Sequence, residues 1–542
     1  MTVTDYVVVG AGVAGSLVAA RLAELPGTSV LLLEAGERLA DGPATRDPAR
    51  AADLWGTEAD WADETVPQAG LAGRRVRWSA GRALGGSSAV NAALWVRGNP
   101  ADYDAWGAYG GANWNRRSAL DAFRRIERND RVPASQAGMD GPLPIESGAP
   151  NAWSAALAAA AHDLGLAPTD VNGARQDGVD TLQLTARSGL RVTFADAFLG
   201  SGGASRAGDL HVVTGARATG VVVEDGRAIG VTYRDRDGSA RRAAARREVL
   251  LAAGAVRTAH LLLLSGIGPA RDLAAVGVRP LVDLPGVGRG FHDHVALGGV
   301  VPAPASAPPL PDGGGGVVVF ARADGRPGVP DLEIVLAPGI PGTDAGSTTP
   351  ELRFGVVALQ PRSRGSVRLS SSDPLAAQPI DPGYLTDPTD TDIATLTAGW
   401  NLVRRLLGSP AAAAVATAPP PPIDAAGVRH TAGPMFHGVG TARFGPEGDP
   451  DAVLDGELRV RGVAGLRVVD AAAIPVVTRG HTMAATAVIA DRAAALIAAA
   501  HGDAAHRDAP HGDTAHRDAP QRVAVSPTRA AEPRRCRPRP TK

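Results

Sequence analysis

Apolar and polar positions change rhythm several times along this chain. Residues 6–9 form a continuous apolar run, residues 17–25 carry apolar side chains at helical spacing, and residues 30–33 are a second short apolar run. This order predicts strand, glycine turn, helix and strand. Strands that are apolar throughout belong in a parallel sheet covered on both faces. Between residues 210 and 253 the runs become short, at 212–213, 221–224, 229–234 and 249–252, separated by Gly and Asp. Asp225-Gly226 falls where a hairpin turn belongs, so this segment predicts a β-meander leading back into the sheet. Residues 302–316 and the proline stretch 418–422 have loop composition, 350–408 mixes strand-like and helix-like segments, and a last helix is expected over 482–500. Two near-identical decapeptides, 501–510 and 511–520, precede an Arg/Pro-rich end; such composition cannot form a core, and 501–542 is expected to be disordered.

With 542 residues, 44% of them hydrophobic and 20% charged, the chain has room for a large core and two domains. A formal charge of -1 excludes the basic footprint of a nucleic-acid partner or of binding to an acidic membrane surface. The single cysteine, Cys536, lies in the tail, which excludes a disulfide framework, a zinc–thiolate site and a catalytic core cysteine. No signal-peptide pattern is seen, and no apolar run reaches the ~20 residues that span a bilayer. The expectations are a cytoplasmic protein and no membrane insertion.

The first motif with chemistry is Gly10-Ala11-Gly12-Val13-Ala14-Gly15, between the first strand and the first helix. Gly10 permits the tight turn, Gly12 lets backbone approach a pyrophosphate, and Gly15 lets helix and strand pack closely. The N–H groups at the helix start, from Val13 and Ala14 on, offer donors and a positive dipole end to phosphates. Glu34 ends the next strand, where a carboxylate accepts from a ribose hydroxyl; this disfavours a 2′-phosphate. The fingerprint serves NAD and FAD alike.

Further motifs resemble the glucose–methanol–choline (GMC) family of FAD-dependent oxidoreductases. Gly81-Arg82-Ala83-Leu84-Gly85-Gly86-Ser87-Ser88-Ala89-Val90-Asn91 is similar to its first signature, and Ser265-Gly266-Ile267-Gly268-Pro269 to its second. Leu284-Pro285-Gly286-Val287-Gly288-Arg289 with His292-Asp293-His294 resembles a third stretch. His437-Gly438-Val439-Gly440-Thr441, residues 466–475 and Gly480-His481-Thr482 resemble its C-terminal block. The resemblance covers about residues 5–500 in order. It implies an α/β fold: a Rossmann-type FAD-binding domain with a parallel sheet and β-meander, interleaved with an α+β substrate-binding domain. The corresponding boundaries are 1–295 for the FAD-binding region (with parts of 100–190 on the substrate side), 296–430 for the substrate-binding domain and 431–500 for the return to the FAD domain.

The same resemblance places Arg82, Gly85, Gly86, Ser87, Asn91 and Ala92 along FAD, sets the backbone of Ala218 against adenine, and brings Asp470 and Ala471 to the ribityl or pyrophosphate region. For Asp470 a helix or turn cap is the other reading. Some relatives attach FAD through a histidine just before the position of Asn91; here that residue is Val90, so non-covalent FAD is expected.

Oxidising an alcohol with a flavin requires a base for the hydroxyl proton, and histidine titrates in the right range. The resemblance assigns His437 as that base and His481 as its partner. Thr482 and Met483 open the last helix, whose positive end would stabilise charge on a reduced flavin. The expected reaction turns an alcohol into an aldehyde or ketone, with oxygen or an unidentified carrier taking the electrons onward. A hydroxynitrile lyase of the same family, using FAD and the same histidine pair, is the alternative. His292 and His294 project alike from an extended strand, but two ligands do not make a metal site. A quaternary ammonium substrate calls for an aromatic cage and a carboxylate; aromatics are only 4% of the chain, and Glu333 reads as a surface-strand residue.

Overall fold

In the computed structural model, residues 2–507 are described except 130, 132, 134–135, 201–208, 312–314 and 339–349. β1 (Thr2–Val9), α1 (Val13–Ala23) and β2 (Ser29–Leu33) form the expected unit, with β1 and β2 parallel from Tyr6–Val30 to Val9–Leu33. Val7, Val8, Leu17, Val18, Val30 and Leu32 are wholly buried. Apolar strands and helix therefore remove their surface from water together, at roughly 25 cal/mol per Å².

The chain next contributes β3 (Gly178–Thr181) to a second sheet, then returns with β4 (Asp209–Val213), β5 (Arg217–Glu224), β6 (Arg227–Arg234) and β7 (Ala240–Leu251), which leads into α2 (Gly254–Leu264). β5, β6 and β7 are the antiparallel meander. Its first turn is Asp225-Gly226, with φ of 49° and 73°, the doubly positive pair that a type I′ turn requires. The run at 212–213 does not join the meander: β4 pairs parallel with β2 at the far edge of the sheet. A short apolar run does not reveal its neighbour. β7 serves both halves, pairing with the meander through residues 240–244 and with β1 along much of its length.

β8 (Val295–Pro302), β9 (Val317–Ala321), β10 (Leu332–Pro338), β11 (Glu351–Ala358) and β12 (Gly433–Pro434) complete the second sheet in the order β12-β8-β11-β10-β9-β3. Its pairings are antiparallel throughout. α3 (Thr391–Leu407) packs on it, with Trp400 edge-on to Phe354 at 5.1 Å. The sheet thus draws strands from residues 178–181 and 433–434, outside the 296–430 span. Separate hydrophobic cores lie around the two sheets, within one compact unit, Met1–Ala498.

β13 (Leu466–Val468) returns to pair parallel with the end of β7, and α4 (Thr482–Arg507) follows. The helix continues through residue 507, so 501–507 are helical rather than irregular; 508–542 lie outside the described residues. Contrary to the sequence expectation, Thr482–Ala500 is long and apolar enough to cross a membrane, with mean hydropathy 1.6. In this fold 61% of that window is buried, and Ala484, Ala487, Ile489 and Ala493 are at 0% exposure. Core packing accounts for its apolarity.

Candidate active site

At the nucleotide end, two glycine segments meet backbone to backbone. A Cβ on Gly15 would fall 1.7 Å from the Gly10 carbonyl oxygen, and one on Gly86 (φ +54°) would fall 2.6 Å from Gly12 Cα. The Gly85 N–H donates to the Ala11 carbonyl at 2.8 Å, locking the two loops. Gly12 caps α1 without a side-chain hydrogen bond, so the donors of Val13 and Ala14 stay available at its N-terminus. Gly10, Gly12 and Val13 are partly exposed and Ala14 is buried.

Glu34 accepts from the N–H groups of Ala11 and Gly36, both at 2.8 Å, through different oxygens. Burial raises it to about 7, against those hydrogen bonds and the nearby Arg82. Each carboxylate oxygen keeps a second lone pair for a ribose hydroxyl. Arg82 lies 5.3 Å from the Trp61 ring, and its buried Nε has no protein partner among the described residues. Ala216, two residues before Ala218, donates to the Glu34 carbonyl at 2.8 Å, which brings the two expected adenosine-side positions together. Free helix-start donors, a glycine cradle and a carboxylate at the strand end fit a dinucleotide.

Between the nucleotide end and the histidines stand the remaining loop residues. Ser87 is exposed and its Oγ accepts from the Gly81 N–H at 3.1 Å; Ala92 is partly exposed. Asn91 Nδ2 donates to Met483 Sδ at 3.4 Å, tying this loop to the start of α4. Arg191, 1% exposed, donates to Asn91 Oδ1 at 3.1 Å and to the carbonyls of Thr45 and Ser88, and burial lowers it to about 10. Among the described residues no carboxylate pairs with it, and sequence reasoning did not single it out.

Asp470 takes the capping role. Its carboxylate accepts from Ala472 N at 2.8 Å, Gly254 N at 2.7 Å and Thr258 Oγ1 at 2.6 Å, and burial raises it to about 6. All three donors are protein groups, so the side chain joins β13 to the turn after β7 rather than reaching outward. Ala471 accepts from Gly440 N at 3.3 Å and Ala472 from Ala442 N at 2.9 Å, which fastens the His437 segment to this turn.

His437 and His481 come together with ring centroids 4.7 Å apart. His481 is 7% exposed, its N–H donates to the Val96 carbonyl at 3.1 Å, and it immediately precedes the first turn of α4. The preceding residue but one, Arg479, is held by Asp102 through an ion pair and a backbone bond of 2.7 Å. His437 is partly exposed, whereas His294 and His481 are buried. Burial, then the neighbouring His481 and His294, holds His437 well below the usual histidine range.

The structure adds three residues to the pair. Glu333 is not on a surface strand: it is at 0% exposure on β10, with Oε1 2.9 Å from His481 Nε2. His294 is fully buried with its Nδ1 2.9 Å from His437 Nδ1. Asp293 accepts from the N–H groups of Met435 and His437 and from the Tyr384 hydroxyl. Its neighbour His292 is a structural tie, bonding the Gly290 carbonyl at 2.7 Å and accepting from Val477 N at 3.1 Å. The few aromatics also gather here: Phe436 (φ 60°) lies edge-on to Trp55 at 5.5 Å and to Trp78 at 6.0 Å. A low aromatic content therefore does not exclude an aromatic-lined site.

Models of GMC oxidoreductases match residues 4–296 and 361–490. The chain belongs to the GMC oxidoreductase family. It is 39% identical to a GMC-type oxidoreductase of Mycobacterium tuberculosis over 92% of this chain and 99% of that one. It is 34% identical to the alcohol dehydrogenase [acceptor] of Pseudomonas putida over 91% of this chain and 95% of that one. Among solved structures it is similar to pyridoxine 4-oxidase from Mesorbium loti, with TM-score 0.81 and 34% identity over 91% of this chain and 98% of that one.

In this GMC oxidoreductase the N-terminal match carries the glycine loops, Asp293 and His294, and the C-terminal match carries His437, Asp470 and His481. Glu333 lies between them, where neither model extends. Its only sequence signal is a carboxylate in an otherwise apolar strand, Leu332-Glu333-Ile334-Val335-Leu336. An acid at such a position is buried and paired or the strand does not form.

Proposed function

We propose that this enzyme oxidises an alcohol to an aldehyde or ketone using non-covalently held FAD, with His437 as the base that takes the hydroxyl proton. The observation that carries this reading is that His437 is the partly exposed histidine of the cluster, beside the first turn of α4 and held neutral by its surroundings. Bound FAD supplies the two-electron hydride acceptor. The loops at Gly10–Gly15 and Gly85–Asn91, with Glu34, would hold the dinucleotide. The N–H groups of Thr482 and Met483, at the start of α4, have no intrahelical acceptors and would stabilise negative charge on a bound flavin. His481, paired with Glu333, orients the alkoxide oxygen, and Phe436, next to His437 in the chain, packs edge-on against Trp55 and Trp78 to give the site an apolar wall.

Val90 at the attachment position supports dissociable FAD. The protein is expected to be yellow and to release its flavin on acid precipitation. Anaerobic addition of an alcohol from a panel of choline, glucose, benzyl alcohol and pyridoxine should bleach the 450 nm band. His437→Ala should stay yellow and bleach at least a hundredfold more slowly, within the ~10²–10⁴ range of a general base. Bleaching at the parent rate would remove His437 from this role. Comparing oxygen uptake with dye reduction identifies the onward electron acceptor.

A further inference from the structure

We propose that His294 is a positioning residue that sets the tautomer of His437, so that a bare Nε2 faces the substrate hydroxyl; this rests on the alcohol-oxidation reading above. His294 stands at the head of β8, fully buried, between two partners. Its Nε2 lies 3.2 Å from the Leu359 carbonyl oxygen and its Nδ1 lies 2.9 Å from His437 Nδ1. The Thr478 carbonyl is a second backbone acceptor beside this ring, while the ring nitrogens lie closest to the Leu359 oxygen and to His437 Nδ1.

A carbonyl can only accept, so the His294 proton sits on Nε2. Burial lowers His294 to about 4, so the ring is neutral and has only that one N–H. Nδ1 is then a lone pair, and the proton in the 2.9 Å contact belongs to His437. His437 is neutral too, and its single N–H is the one at Nδ1. Its Nε2 is therefore unprotonated, and no protein group bonds it among the described residues. The reverse arrangement would set the lone pair of His294 Nε2 against the Leu359 oxygen inside the core, where no water relieves it.

The contact also fixes the ring in space, since the two imidazoles cross at 80° with centroids 5.1 Å apart. During turnover the hydroxyl proton moves to His437 Nε2 while the carbinol hydride leaves to FAD. The alcohol loses two electrons and FAD gains them. His437 becomes an imidazolium whose Nδ1–H still points at the His294 lone pair. The proton does not travel further along this path, because His294 Nε2–H ends on a carbonyl. His294 orients and stabilises; it is not a relay.

The test is a long-range 1H–15N correlation spectrum of the holoenzyme labelled with 15N-histidine, with His437 assigned from the His437→Asn spectrum. The expected result is a protonated Nδ1 and a bare Nε2 on His437 in the parent and in His294→Asn, whose amide oxygen replaces the Nδ1 acceptor. In His294→Leu that signature is lost. Anaerobic flavin reduction by benzyl alcohol should slow at least tenfold in His294→Leu with KM changed less than threefold, and recover to within threefold of the parent in His294→Asn. A protonated Nε2 in the parent overturns the proposal, as do equal losses in the Leu and Asn variants. The parent spectrum decides even if His294→Leu fails to fold. It is also independent of turnover, so an enzyme that no alcohol reduces counts against the functional reading and leaves the tautomer result standing.

Discussion

Asp293 holds His437 from behind: its Oδ1 accepts the backbone N–H of His437 at 2.6 Å, while Oδ2 accepts from Met435 and from the Tyr384 hydroxyl. Between those two backbone donors Phe436 takes φ 60°, a conformation that costs a non-glycine residue about 1 kcal/mol or more. The carboxylate gathers the segment into the turn that presents His437.

Asp293→Asn sets an amide N–H against one of these donors and should destabilise the protein by about 1–3 kcal/mol. The deficit depends on pH. Burial raises Asp293 to about 7, against about 3.9 in an unfolded chain. Between those values the folded state retains a proton that the unfolded state releases, so this group lowers stability as pH rises, by up to about 1.4 kcal/mol per unit. The Asn variant lacks that loss. Its deficit against the parent, from urea unfolding, should narrow between pH 5 and pH 7 and level off above. A constant or widening deficit contradicts the assignment.

The role proposed for His437 predicts a pH profile. His437 is held well below its ordinary value by burial and by the adjoining histidines. A lowered value keeps the proton-accepting form populated at more acidic pH. The acidic limb of kcat/KM should therefore fall below pH 6.5, the unperturbed histidine value of about 6.5 marking the boundary. A limb at or above 6.5 would mean that another group is the base.

Gly86→Ala tests the contact between the two glycine loops. The new Cβ lies 2.6 Å from Gly12 Cα, a backbone atom that cannot swing aside. Overpacking of about 1–3 kcal/mol should weaken FAD binding roughly tenfold or more. The ratio of flavin to protein absorbance after dialysis checks this directly, and a fully flavinated variant would show that the loops have more freedom than their spacing suggests.

Glu333→Leu removes the acceptor of a buried histidine and leaves His481 Nε2 without a partner. Flavin reduction should slow about tenfold or more, with a stability loss of about 1–3 kcal/mol. Glu333→Gln keeps an oxygen for His481 and should be milder on both counts. Stopped-flow reduction and thermal unfolding, run in parallel, separate the two effects. Equal behaviour of Leu and Gln would exclude a specific pairing.

The sequence by itself determined whatever depends on near neighbours. The β1–α1–β2 unit, the doubly positive turn at Asp225-Gly226 and the helix starting at Thr482 are local solutions in which a few residues settle backbone conformation. Gly86 was marked for the cofactor, but that its Cβ has no room beside Gly12, 74 positions earlier, required the fold.

The tertiary structure alone decided the company of each polar group. Glu333 meets His481 across 148 positions and Asp293 meets His437 across 144. Asp470 turned inward as a cap, and β4 left the meander for the far edge of the sheet. A hydrophobic pattern records which side of an element is covered, but not what covers it. A buried carboxylate is stabilised only by donors that folding brings within about 3 Å, and no spacing along the chain encodes that distance.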